Sequence, residues 1–230
     1  AKTTEFYDKY EFYSLFQEIT YFCSMEMSSF YLDIVKDRLY CEGTTSIERR
    51  SAQTVLTEVL KVLVRIISPV LSFTADEIWE RIPEALKEEE SVHLSKWIEA
   101  NPEYLNEELA KKWDKIARLR REVNKKLEAE RQTGLIGHSL DAIVLLNIAN
   151  AEYSFIKDYT ENEVSDLFIV SQVKFVNDNL AESEIEGINI AVEKASGEKC
   201  ERCWKYDEEV GHDHNHSDVC PRCASVLEKM

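Results

Sequence analysis

The sequence predicts a mainly α chain: a helical bundle, then a small α/β unit, then a C-terminal module built on paired cysteines. Three observations carry this reading. No glycine occurs between Gly43 and Gly134, and apolar residues there recur at three- and four-residue steps. Beyond Gly137 the chain turns to short runs rich in β-branched residues. Four of the six cysteines then fall into two Cys-x-x-Cys pairs, Cys200 with Cys203 and Cys220 with Cys223.

The apolar spacing predicts four helices over about 8–23, 25–41, 45–67 and 73–81. In the third, Ala52, Val55, Leu56, Val59, Leu60, Leu63 and Ile66 form a wide apolar face. Pro69 must stop or bend it. Ser72 or Thr74 can cap the fourth, whose first turn carries Asp76 and Glu77. Pro83 and the run Lys87 to Glu90 mark a loop, and a long helix follows over 103–132. Its apolar stripe is Leu105, Leu109, Ile116, Leu119, Val123 and Leu127, and it closes a helical domain over 1–138. Cys23 and Cys41, in helical pattern, read as buried core thiols. Over 139–196, Ala142–Ile148, Leu167–Phe175 and Ile188–Val192 read as strands, with a helix across 153–165. The cysteine module occupies 197–230.

Two Cys-x-x-Cys knuckles with sixteen residues between them are a tetrathiolate zinc signature, since each presents two sulfurs to one tetrahedral ion. The expected cofactor is one structural Zn2+ on Cys200, Cys203, Cys220 and Cys223. Four sulfurs leave no open position, so the ion builds the fold and activates no water. His212, His214 and His216 then read as a solvated loop, because the thiolates already complete the shell.

Composition narrows the function. The 230 residues carry a formal charge of −16 with 44% apolar content, so a nucleic-acid role must rest on local charge. Charges interrupt every apolar run before it reaches membrane-spanning length. The start lacks the apolar core of a signal peptide, and zinc-type cysteines suit a reducing compartment, so a cytoplasmic protein is expected. Phosphate-binding glycine loops, nucleophile elbows and His-Glu-x-x-His are absent, and catalytic residues are expected to be none. Residues 111–131 hold nine basic against four acidic side chains. Lys111, Lys115, Arg118, Arg121 and Lys125 share one side of the long helix; they read equally as a phosphate-tracking face or a solvated one. Trp204 directly follows Cys203, with Arg202 and Lys205 on either side of that pair. Its ring either packs beneath the knuckle or offers a platform to an unstacked base. The module itself is not cationic, with five basic and eight acidic residues over 197–230, so contacts there are expected from Arg202, Lys205 and Arg222.

Phe30 to Tyr40, Arg49 to Leu56 and Ser68 to Trp79 resemble the anticodon-binding helical domain of class I aminoacyl-tRNA synthetases for isoleucine, valine and leucine. Gly197 to Trp204 with Val219 to Cys223 is similar to the C-terminal zinc module of the bacterial isoleucyl-tRNA synthetases. The resemblance implies recognition of the anticodon region of isoleucine tRNA; Lys36, Arg38, Arg49 and Arg50 are the candidate backbone contacts should the long-helix face be merely solvated. It also implies catalytic and editing domains elsewhere in a longer monomeric chain, which charges that tRNA using ATP. His-x-Gly-His and Lys-Met-Ser-Lys-Ser, the catalytic signatures of that family, are absent here. The chain is therefore expected to be a fragment, inactive alone, with apolar surface bared near Phe6, Tyr10 and Tyr13. Two rivals stand beside this reading: a zinc-stabilised protein-interaction module, and a zinc-finger DNA glycosylase. The second lacks its N-terminal catalytic proline here.

Overall fold

The structure, a computed structural model, describes every residue except Asn179 and Met230. The chain forms two compact units, Ala1–Leu32 with Thr44–Leu105, and Asp33–Gly43 with Asn106–Met230.

The first unit is helical. α1 (Lys2–Asp8) and α2 (Phe12–Tyr21) open it, and α2 runs on as a π-helix over Phe22–Tyr31. The chain then passes through α3 (Leu32–Ile34) and α4 (Lys36–Cys41), which from Asp33 on belong to the second unit, and returns to the first as α5 (Ile47–Ile67) and α6 (Ser72–Arg81). A break near residue 24 was expected and does not occur. No glycine or proline precedes Gly43, and the chain instead widens its winding; within that stretch Ser29 Oγ donates to the Met25 carbonyl at 2.5 Å. Cys23 is half-buried, not a core thiol. Ser46 caps α5 by accepting from Arg49 N at 3.1 Å. Neither Ser72 nor Thr74 caps α6: Leu71 holds that position, and the Ser72 hydroxyl donates back to Ser68 O at 3.0 Å. Val64, Ile67, Ala75, Trp79, Ile82 and Val92 make the core. Trp79 is fully buried, with Nε1 donating to Glu89 O at 2.9 Å and the Arg65 guanidinium 5.2 Å from its ring centre. Val55 and Leu60, expected in the core face of α5, are exposed, as are Tyr10 and Tyr13.

The second unit sets a long helix on a small sheet. α7 runs Glu107–Thr133, four residues later at its start than predicted, because Asn106 accepts from Leu109 N at 2.9 Å and fixes the first turn there. Leu105 consequently lies outside the helix and is 81% exposed. Gly134, at φ 82°, ends α7: its N–H reaches Arg131 O and that of Leu135 reaches Glu130 O, both at 3.1 Å. β1 (Ala142–Ile148) is central, parallel to β2 (Gln172–Phe175) and antiparallel to β3 (Ile188–Lys194). A 3-10 segment, Ala151–Asp158, and α8 (Glu161–Phe168) cross from β1 to β2.

The predicted strand over 167–175 is in fact a helix end, a turn and a four-residue strand. A Thr160–Glu163 capping box starts α8, and Ile169, at φ 58°, closes it before β2 begins. Leu167, Phe168 and Val170 read as strand because burial makes that whole run apolar.

Ile116, Leu119, Val123 and Leu127 pack with Val144, Leu146, Ile188 and Ile190 in one core. α7 therefore falls in the compact unit that resumes at Asn106: a helix goes with the partner that covers its apolar stripe. Its basic residues reinforce the seam. Arg120 Nε donates to Leu167 O at 3.0 Å and Lys126 Nζ to Glu182 O at 3.1 Å. Glu122 is 7% exposed and accepts from Lys125 at 2.8 Å and from Glu184 N at 3.0 Å. Burial alone would raise its pKa, but these bonds outweigh it and hold the carboxyl below its ordinary range.

That depressed pKa makes Glu122 stabilising above its unfolded value of about 4.3, and the contribution is lost as pH falls through the lower folded value. Glu122→Ala should cost about 1–3 kcal/mol at pH 7 and flatten the acid limb of stability, measured by urea unfolding between pH 7 and 3.

Candidate metal centre and nucleic-acid interface

The cysteine module begins as a two-residue ladder, β4 (Glu198–Lys199) against β5 (Tyr206–Asp207), and the first knuckle is its turn. Gly197 sits at φ 87°, where an added Cβ would lie 2.3 Å from the Asp207 carbonyl carbon, so only glycine allows this closure. The second knuckle is the start of α9 (Pro221–Leu227): Cys220 occupies the N-cap, Pro221 the first helical position, and Cys223 the first turn.

These two devices bring the Sγ atoms of Cys200, Cys203, Cys220 and Cys223 within 4.8 Å of one another. Cys203 and Cys220 are 3.9 Å apart, close to the roughly 3.8 Å edge of a tetrahedron with about 2.3 Å zinc–sulfur bonds. A divalent ion holds all four as thiolates and offsets the repulsion that sulfur anions this close would otherwise meet. The donor set fits one structural Zn2+. His212 and His214 are exposed and His216 half-buried, and none joins this cluster among the described residues.

The knuckles rest on α4 and α8, within the same unit. Arg222 grips Asp37 through both terminal nitrogens, at 2.5 and 2.7 Å, and reaches Glu42 at 3.1 Å. Arg202 Nη1 donates to Cys41 O at 2.6 Å, and the buried Cys41 thiol faces Arg202 O at 3.5 Å. Lys205 pairs with Asp166 and donates to Ser165 Oγ at 3.2 Å. Burial would raise the pKa of Asp37, yet hydrogen bonding and charge from Arg222, with the charge of Lys205, leave it lowered. The three cations expected at the interface thus each hold the module to its support. Asp37, Glu42 and Asp166, their partners, escaped the sequence reading because a pair such as Arg222–Asp37 is 185 residues apart.

Trp204 stands clear of the module's core, 60% exposed, with Lys199 Nζ 5.6 Å from its ring centre. Its backbone is left-handed, φ 66°, and its N–H closes the knuckle on Cys200 O at 2.9 Å. Along α7, Lys115 pairs with Glu152 at 3.1 Å, and Lys125 with Glu122 and Glu184 at 2.8 and 2.7 Å. Lys111, Arg118 and Arg121 are exposed and have no hydrogen bond or ion pair among the described residues. On α4, Lys36 pairs with Asp33 at 2.8 Å and Arg38 is exposed. In the first unit Arg50 is exposed and donates to Gln53 at 3.4 Å, and Arg49 is half-buried. No helix among the described residues is long and apolar enough to cross a membrane.

One zinc per chain should be found in protein purified without chelator, with absorption spectroscopy reporting four sulfur neighbours near 2.3 Å. Chelation should unfold residues 197–230, since such ions contribute about 10–16 kcal/mol in finger peptides. Gly197→Ala should lower zinc affinity by displacing β5, read by competition with a chromogenic chelator.

Residues 1–146 match the sequence family described as the anticodon-binding domain of tRNA ligase. Residues 197–226 match the zinc finger found in FPG and IleRS. The chain is 47% identical over 232 residues to an isoleucine–tRNA ligase of Kosmotoga olearia, covering 98% of this chain and 24% of that protein. It is 45% identical over 231 residues to the enzyme so named in Geobacter sulfurreducens, covering 99% and 25%. In Fervidobacterium nodosum the figures are 41% over 226 residues, 98% and 24%. The chain thus spans about a quarter of the length of the curated relatives it matches. With the matched pattern covering more than half of its residues, the chain belongs to the anticodon-binding domain family of the tRNA ligases.

Proposed function

We propose that this chain recognises the anticodon stem-loop of isoleucine tRNA, as the RNA-reading part of an isoleucine–tRNA ligase. The observation that carries the reading is the joining of the anticodon-binding pattern to a zinc knuckle that holds a large aromatic ring in solvent. An exposed tryptophan has little reason to persist as packing, whereas a stacked base is worth about 1–3 kcal/mol and needs only a bare π-face. Loop bases of an anticodon are already unpaired, so presenting one costs little. Backbone phosphates fall to Lys111, Arg118 and Arg121 on α7 and to Arg38 and Arg50. Lys36, Arg49, Lys115, Lys125, Arg202, Lys205 and Arg222 add positive potential while engaged within the protein.

The rest of the reaction belongs to other parts of a longer, cytoplasmic, monomeric ligase: a catalytic domain that activates isoleucine with ATP, and an editing domain. The chain alone makes no aminoacyl-adenylate. A protein-interaction module and a DNA glycosylase share only the finger with this chain, and neither accounts for the pattern over 1–146.

Tight binding of isoleucine tRNA over a non-cognate tRNA is the primary test; equal affinity for both would end the reading. Neutralising Lys111, Arg118 and Arg121 together should flatten the dependence of log affinity on log salt by roughly 0.7–0.9 per lost contact. An unchanged slope would mean that face is merely solvated.

Trp204→Ala in the full-length ligase should lower kcat/KM for tRNA about 5- to 150-fold and leave ATP-dependent isoleucine activation intact. A packing role predicts lost zinc or a lower melting temperature, with RNA binding falling only in step with unfolding.

A further inference from the structure

Beside Trp204 the second unit forms an open cavity of about 480 Å3, within the range of about 300–1,000 Å3 typical of small-molecule sites. Ile34 and Tyr40 of the helical segment, Leu140, Ile169 and the ring of Trp204 line it, and His138 stands among them. All these residues belong to one compact unit.

The carboxylates of the cavity are matched: Asp33 faces Lys36, Asp37 faces Arg222, and Asp166 faces Lys205. Arg202, the remaining cation, is engaged with the Cys41 carbonyl at 2.6 Å. The aromatic and aliphatic walls favour a flat, uncharged ring. His138 supplies the polar handle. Its Nδ1 accepts from Leu140 N at 3.1 Å, which in the neutral ring puts the proton on Nε2 and makes that nitrogen a donor. Backbone strain marks the same place. Of the three non-glycine residues with positive φ among the described residues, Tyr10, Ile169 and Trp204, two line this cavity. A β-branched residue in that conformation persists only where its surroundings over-determine it, and such residues gather at binding sites.

We propose that this cavity takes one unpaired nucleobase turned out of the bound RNA, Trp204 supplying a stacking face and His138 Nε2–H a donor to a keto oxygen on the base edge. This rests on the RNA reading above and adds to it a defined pocket and a specificity-determining residue. Uracil and guanine carry such an oxygen where cytosine and adenine carry an amino group, so the pocket favours the keto base at the inserted position.

The test uses the zinc-loaded chain and the isoleucine-tRNA anticodon stem-loop, with 2-aminopurine placed at one loop position at a time. Binding should quench fluorescence at a single position, and Trp204→Leu should abolish that quench. Replacing the base there should show uracil preferred to cytosine, or guanine to adenine. His138→Asn keeps an acceptor for Leu140 N, so the fold is retained, but it lacks the reach of Nε2–H. It should weaken keto-base loops about 2- to 13-fold, the worth of one net hydrogen bond, and erase the preference. A stem-loop that binds with no position quenched overturns the pocket and leaves the RNA reading standing. A preference that survives His138→Asn removes His138 from the proposal, and failure of the stem-loop to bind at all overturns both readings.

Discussion

The module over 197–230 cannot stand on its own apolar interior, and this constraint organises the second unit. Its buried residues, among those described, are Cys200, Val219, Cys220, Cys223 and Ala224, so four sulfur–metal bonds must do what a hydrophobic core does elsewhere. Even these fix only the inside of the knuckle. Its orientation comes from Arg222, Arg202 and Lys205, which reach out to α4 and α8 with hydrogen bonds that are mostly charge-assisted. The metal makes the module a rigid body, and the cations fix where that body points its tryptophan.

The same economy of roles governs α7. A helix with so many basic residues invites reading as a nucleic-acid face along its whole length, yet the structure divides them. Arg120, Lys126, Lys115 and Lys125 bond to α8 and to the 3-10 and loop segments beneath the helix, while the side chains of Lys111, Arg118 and Arg121 make no hydrogen bond or ion pair among the described residues. An acidic chain can still approach a polyanion where unpaired cations cluster on one element. Net charge is a poor guide here; the count of unspent cations is a better one.

Much of this was legible in the residues. The zinc ligands follow from spacing alone, because Cys-x-x-Cys is a local motif whose geometry its own turn sets. α5, α6 and two of the three strands followed from periodicity, whereas α1 and the unbroken run from α2 through the π-helix did not. What escaped was non-local or concealed by burial. The close of α8 at Ile169 could not be seen, since a β-branched residue in a left-handed cap violates the preference that would mark it. The start of α7 was misplaced because Leu105 has the right period for a stripe that Asn106 cuts short. Asp37 and Asp166 looked like any other surface carboxylates until the fold set Arg222 and Lys205 against them.

α4 is a six-residue helix that serves two masters. Asp37 and the Cys41 carbonyl anchor the knuckle, while Lys36 and Tyr40 look into the cavity beside Trp204. Because no flexible linker separates anchor from wall, the spacing between the two aromatic residues is fixed during folding and not at encounter. Association then forfeits little motional freedom in the protein, and the ordering cost falls on the partner. Such a site discriminates by rigidity: a ligand of the wrong thickness or edge cannot be met by adjustment, because the helix that would have to yield also holds the metal module in place.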